Sequence, residues 1–418
     1  MERDPLSTNR STHAALHDAD RPTSARATRG RPYPAIAAVV ALVLMSALVF
    51  STLAARFHPG PGQGRGATLS GTPTVSPIAT TSTAASTPTP TPSPVPLPAG
   101  MSVVSIAMVS ATDGWAIAAP TASSAALVHY TGGHWMLLGD SYTGVYLNDL
   151  SMDAHDDGWA VGGHSDQVSG GVVLHYSGGR WEPVPTPAFS FAGQRVWAFS
   201  PSNAIVLAAL HKGPTGAAQS ALLRYDRGAW SETASPRGIS DMSVLTADDI
   251  WATCLDGHVL HEQGGRWTTY SIGGQTSGEG GQPLSITMLS DSDGWAAGLT
   301  NITPQGMFLA HFDGAAWTRV QGPAASGPTE IHSIAMVSPT EGWAGGDLGN
   351  ATGVAAVLLH YVNGQWQTTL APSPDIGGIA RIVMLSASEG WAAAEGGAAA
   401  GPLHYQNGRW TPYQMPPS

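Results

Sequence analysis

From residue 101 onward, short apolar runs alternate with polar turns, and the whole pattern recurs. The segment SIAMVS stands unchanged at 105–110 and 333–338, each time followed by a polar turn and then Gly-Trp-Ala. The turn-plus-Trp unit returns as ATDGW ending at Trp115, HDDGW at Trp159, TADDIW at Trp251, DSDGW at Trp295, PTEGW at Trp343 and ASEGW at Trp391. Between Trp159 and Trp251 the unit PSNAI keeps the phase, with Ile205 in the Trp place. Successive spacings are 44, 46, 46, 44, 48 and 48 residues. A second unit interleaves with the first: LVHYTGGHW to Trp135, VLHYSGGRW to Trp181, LLRYDRGAW to Trp230, VLHEQGGRW to Trp267, LAHFDGAAW to Trp317, LLHYVNGQW to Trp366 and PLHYQNGRW to Trp410. A fixed period of this length is the mark of a repeat architecture.

Each period reads as four strands. Strand A is apolar, an Asp-Gly-type turn leads into strand B (GWAVGG in the second copy), a variable loop leads to strand C (VLHY), and a Gly-Gly or Asn-Gly turn leads to strand D, which opens on Trp. Such dipeptides between alternating runs are hairpin signals. Four strands per period, seven times over, predict an all-β chain: a seven-bladed β-propeller of four antiparallel strands per blade across residues 101–418. The paired Trp, the Gly-Gly after strand B and the Tyr-x-x-Gly-x-Trp after strand C resemble kelch and galactose-oxidase-type propeller repeats. The Gly-Gly-x-Trp turn is also similar to repeats of sialidase-like and photosystem-assembly-factor-like propellers. These resemblances imply an architecture and no particular chemistry, because such families share blades rather than sites. The sialidase Asp-box, Ser-x-Asp-x-Gly-x-x-Trp, is not reproduced.

The hydrophobic pattern upstream is of another kind. Ala35 to Ala55 runs 21 positions without a charge, long enough to cross a bilayer as a helix. Arg21, Arg26, Arg29 and Arg31 precede it and only Arg56 and Arg65 follow soon after, so the positive-inside bias places the 1–34 tail in the cytoplasm and the propeller outside the membrane, extracellular or periplasmic. A cleaved signal peptide is the alternative, and the 34-residue polar leader is long for one. Residues 56–100 form a linker in which 57–100 hold ten Pro, nine Thr and five Ser; alternating Pro favours an extended, semi-rigid spacer. A disordered cytoplasmic tail, a membrane anchor, a stalk and a propeller are therefore expected in that order.

Charge narrows the partners. Residues 101–418 carry ten basic and 25 acidic side chains, a formal charge of −15. A nucleic-acid binder needs clustered Lys and Arg, so that class is excluded, and basic or neutral proteins and glycans are favoured. The single cysteine, Cys254, cannot form an intrachain disulfide and reads as a small buried hydrophobe.

Meander blades gather the A–B and C–D turns at one end, where they are tight and repetitive, and the B–C and D–A connections at the other, where everything irregular lies. Function is expected on those loops. The residues that break the repeat there are Tyr142 and Tyr146 before blade 2, Arg195 and Trp197 at the start of blade 3, Arg237 and Asp241 around the start of blade 4, His332 before blade 6 and Arg381 at the start of blade 7. Aromatic and Arg residues at a mouth suit glycan or peptide binding; Trp197 has a packing role as its alternative, filling space left by Ile205. Six histidines (His129, His175, His261, His311, His360 and His404) recur on strand C of different blades and so read as structural consensus. Asp153 to Gly158 reads as a polar turn. No catalytic set, metal set or cofactor is expected. The expected role is a membrane-anchored binding platform for a protein or glycan; a carbohydrate-active hydrolase or lyase and a scaffold for assembly of a membrane complex are the alternatives.

Overall fold

The computed structural model describes residues 95–413 apart from 98–100, 122–123, 167–169, 188–190, 212–217, 236–237, 274–279, 301–305 and 351–352. The 1–34 tail, the apolar run 35–55 and the stalk as far as residue 94 lie outside the described residues. Among the described residues no helix is long and apolar enough to cross a membrane.

Seven antiparallel sheets follow one another along the chain, each with its four strands in the spatial order A-B-C-D. They occupy residues 103–143, 145–183, 191–234, 239–271, 282–319, 329–369 and 378–412, one sheet per Trp period. Strand A of each blade packs against strand A of the next at six of the seven seams, which makes A the inner strand. Tight turns join A to B. In blade 1, Gly114 of the Asp-Gly-Trp turn lies beneath Met108 of strand A, and a Cβ there would collide with the Met108 sulfur. The same Met-over-Gly contact recurs at Gly158, Gly294, Gly342 and Gly390, which explains why the turn ends on Gly.

The acid in that turn has a second task. In blade 1, His129 Nε2 bonds Asp113 Oδ1 at 2.7 Å, and the imidazole stacks on Trp115 with ring centroids 4.3 Å apart. His175 with Asp157, His261 with Asp249, His311 with Asp293, His360 with Glu341 and His404 with Glu389 repeat the pairing, each inside its own blade. The histidines are thus consensus packing, and Asp157, from the turn at 153–158, is one of their partners.

Between blades, the strand-B Trp reaches the second-unit aromatics of the next blade. Trp115 meets Tyr176 and Trp181, Trp295 meets Tyr361 and Trp366, and Trp343 meets Tyr405 and Trp410. The seam between blades 3 and 4 departs from this in three places at once. Ile205 stands for Trp, Arg224 for His and Glu262 for Tyr, and Arg224 crosses to Glu262 at 3.2 Å while donating to the Ala247 carbonyl at 2.5 Å. A charge-assisted pair replaces an aromatic stack, and no strand of blade 3 runs as close to blade 4 as strands do at every other seam.

Each blade takes all four strands from one period, so no blade is shared between the two ends of the chain. Val95 and Pro96 pair with Leu137 and Met136 as a fifth, outer strand of blade 1. An outer edge accepts Pro because the missing N–H faces no partner. Leu97 is buried in the cluster that joins blades 1 and 7, so the propeller begins inside the Pro-rich run, ahead of the expected boundary at 101. The ring closes through side chains: Trp391 packs on Tyr130 and Trp135, and Tyr413 Oη donates to the Gly133 carbonyl at 2.7 Å.

Candidate functional site

Strand A starts, and strand B ends, at the variable-loop face. Near the start of every strand A the register slips by one residue, a β-bulge that brings a polar or charged residue to an equivalent place in each blade: Ser105, Asp149, Arg195, Asp241, Ser285, Ser333 and Arg381. These seven positions form a belt on the inner strands. Four members accept a hydrogen bond from the backbone of the following blade. Asp149 Oδ2 accepts from Val196 N at 3.1 Å, Asp241 Oδ2 from Ile286 N at 3.2 Å, Ser285 Oγ from Ile334 N at 3.3 Å and Ser333 Oγ from Ile382 N at 2.9 Å. Ser105 Oγ donates to Asp149 Oδ1 at 2.7 Å. The belt therefore staples blade to blade where strands cannot pair.

Two belt positions hold arginine, which cannot accept a hydrogen bond. Arg195 lies between two buried aspartates and donates through Nε to Asp241 Oδ1 at 3.4 Å. Burial works against its charge, but the Asp241 and Asp149 carboxylates outweigh that and hold its pKa above the ordinary guanidinium value. Arg381 is half-buried at the equivalent position of blade 7, flanked in the belt by Ser333 and Ser105. Among the described residues no hydrogen bond or ion pair engages it. One belt cation is neutralised from both sides; the other is not.

A second group gathers at the seam of blades 6 and 7. Glu330 and His332 lie at the start of strand A of blade 6, Thr329–Ser338, and Asp347 pairs with Glu330 across strands A and B. His332 is the bulged residue, skipped by the ladder, and its Nε2 bonds Asp347 Oδ2 at 2.8 Å. Ligand atoms of Glu330, His332 and Asp347 all lie within 4.8 Å of one another. Glu395, at the end of strand B of blade 7, completes the group. Gly378 lies between the blades here: a Cβ on it would touch Asp347 Cβ at 3.5 Å and Glu395 Oε1 at 3.9 Å. Burial raises Glu330 and Glu395 above the usual carboxylate range, opposed by His332 and reinforced by Asp347. Burial opposes a charged His332 as well, but its bond to Asp347 and the surrounding acids hold its pKa above the ordinary imidazole value.

The other expected site residues are dispersed. Tyr142 is paired with Ala125 on strand D of blade 1 and packs against the core between blades 1 and 2. Tyr146 lies half-buried over Gly163, the residue across the ladder from it, and burial raises its pKa. Trp197 is the cross-strand neighbour of Ile205 and packs into the seam of blades 3 and 4 with Phe199, which is the packing role. Arg237 lies outside the described residues. The structure thus places Arg195, Asp241 and Arg381 together in the belt, and His332 apart with three acids. Asp149, Glu330, Asp347 and Glu395 were missed at the sequence level. The signal lay in the repeat: four residues after the strand-B Trp position, Asp347 and Glu395 stand where the other blades carry Ala119, Gly163, Ala209, Leu255 and Leu299.

The fold is that of known seven-bladed propellers. No protein-family model matches the chain, and no curated protein matches it. Among solved structures it is similar to YCF48 bound to D1 peptide, at 16% identity over 75% of this chain and 96% of that one, with a TM-score of 0.54. YCF48 from Cyanidioschyzon merolae is similar at 15% identity over 75% and 98%, TM-score 0.52. The GH74 xyloglucanase from Xanthomonas campestris is similar at 15% identity over 74% of this chain and 52% of that one, TM-score 0.52. Identities this low speak for the fold alone.

Proposed function

We propose that the propeller is a recognition module that holds a polypeptide segment at the belt end of the ring, with Arg381 anchoring a carboxylate of that segment. The observation that carries the reading is the uncompensated, half-buried guanidinium in a belt whose other arginine is paired. A guanidinium offers two parallel N–H donors to a carboxylate, and a desolvated one without a partner has most to gain from finding it. The domain's charge of −15 favours a segment that is neutral or basic overall and presents one carboxylate, as a free C-terminus does. The structural likeness to a propeller solved with a bound peptide agrees with a protein ligand.

The apolar run 35–55 and the stalk would hold this module outside the membrane, within reach of other membrane or surface proteins. Protease added to intact cells then removes the propeller and leaves the tail; full protection of the propeller contradicts that placement. For the ligand, the full-length chain in detergent is applied to an array of basic peptides with free or amidated C-termini, beside a glycan array. Saturable binding to free C-termini supports the reading. Binding confined to glycans, or equal binding to amidated peptides, opposes it.

A further inference from the structure

We infer that Glu330, His332, Asp347 and Glu395 form a binding site for one divalent transition cation of the Zn²⁺ type at the seam of blades 6 and 7. The site is separate from the belt and does not depend on the peptide reading.

Four observations converge on it. The first is the donor set. One imidazole nitrogen and several carboxylate oxygens from three strands come together, with three of the ligand atoms already within 4.8 Å of one another. Ligands bound at ~2.0–2.2 Å to one zinc ion lie at most about twice that distance apart, so a small closure of the group suffices. The imidazole argues against Ca²⁺ and Mg²⁺, which take oxygen alone, and favours borderline ions such as Zn²⁺.

The second observation is the contrast with the six consensus histidines. Each of those bonds one acid through Nε2 and stacks on a Trp in five blades, or lies tilted against one in blade 5, so the ring is held between an acid and an indole. Among the described residues no aromatic ring covers His332, and two acids, Glu330 and Asp347, stand beside it instead of one.

Third, all four residues break the repeat. Where blade 6 has Glu330 opposite Asp347, blade 2 has Tyr146 opposite Gly163 and blade 5 has Gln282 opposite Leu299. At the bulge that holds His332 the other blades carry Val104, Asn148, Gln194, Ser240, Leu284 and Ala380. Random drift would scatter such departures over seven seams; these lie at one.

Fourth, the charges are unbalanced. Neither Glu330 nor Glu395 has a hydrogen-bond or ion-pair partner among the described residues, and both are half-buried. Three carboxylates around a single imidazole leave net negative charge in a partly desolvated place, which a divalent cation neutralises. Gly378 keeps the space between Asp347 and Glu395 free of a side chain.

The test is calorimetric titration of tag-free, chelator-stripped full-length chain in detergent with Zn²⁺, Mn²⁺ and Ca²⁺, with retained metal counted by mass spectrometry after desalting. One Zn²⁺ per chain is expected, bound more tightly than Ca²⁺. H332A and the near-isosteric E330Q and D347N are each expected to weaken Zn²⁺ binding by about tenfold or more, while their unfolding transitions show that the propeller is intact. H311A, which removes a consensus histidine paired with Asp293, is expected to bind Zn²⁺ as the unaltered chain does. Zn²⁺ binding that survives H332A, or that H311A weakens equally, assigns the ion to histidines in general and overturns the site. Preference for Ca²⁺, or no retained metal, overturns it too.

Discussion

Trp391 of the last blade meets Trp135 of the first edge-on, ring centroids 5.5 Å apart and planes at 82°. Three interior seams repeat that relationship: Trp115 with Trp181 at 5.4 Å and 82°, Trp295 with Trp366 at 5.6 Å and 80°, Trp343 with Trp410 at 5.5 Å and 87°. The first and last blades are therefore joined by the same contact that joins three pairs of consecutive blades, with no shared strand. Trp391→Ala and Trp343→Ala should each cost about 3–5 kcal/mol, the range for truncating a buried aromatic, when urea unfolding is followed by tryptophan fluorescence. A cost for Trp391→Ala well below that for Trp343→Ala would show that the ring is closed by something else.

The seam of blades 3 and 4 depends on a charge pair. Glu262 is buried and Arg224 is about three-quarters covered, and their contact replaces the Trp-His-Tyr packing of other seams. Arg224→Ala leaves Glu262 with only the Gly265 N–H for compensation, so a loss of about 2–3 kcal/mol is expected, less than for a fully buried pair. In a background carrying Glu262→Tyr, the residue most other blades use, the same change should cost less. Equal costs in the two backgrounds would mean that the pair is not coupled. Hydrogen exchange on the unaltered chain should be fastest for core amides of blades 3 and 4.

Alkaline pH acts through the seam tyrosines. Burial first, and neighbouring charges second, raise the pKa of Tyr130, Tyr176, Tyr361 and Tyr405. The folded value exceeds the unfolded one near 10, so the stability these groups contribute is complete below pH ~10 and lost as pH climbs through the folded values. Unfolding free energy should fall steeply above pH ~10, with phenolate absorbance lagging that of the urea-unfolded chain. Identical absorbance titrations for folded and unfolded chain would contradict this.

Much of this fold is legible in the sequence. A blade cannot bury its faces alone, so nearly every copy carries the same Trp and Tyr toward its neighbours and the same Gly and His within itself, and that constraint writes a period into the chain. The six histidines and the packing role of Trp197 follow from the same constraint. Arg195, Asp241 and Arg381 stood out as breaks in the strand-A pattern, but their kinship did not, because the bulge that aligns them is a backbone feature without a residue signature. The group around His332 was hidden for another reason. Its acids come from three strands of two blades, and an isolated Glu or Asp at a strand end looks like any solvated turn residue. The early boundary at Val95 was hidden by composition, since a run of alternating Pro gives no sign that its last residues pair with an edge.

The central claim is that Arg381 takes a carboxylate, and a double-mutant cycle tests it most directly. The best peptide from the array, as free acid and as amide, is titrated against the full-length chain and against Arg381→Gln, with Arg409→Gln, an exposed arginine on strand D of blade 7, as control. The account predicts that amidation weakens binding to the unaltered chain and to Arg409→Gln, but has little effect once Arg381 is gone, with a coupling of about 1.5–3 kcal/mol for a charge-assisted contact. Additive effects, with amidation costing as much against Arg381→Gln as against the unaltered chain, would contradict it.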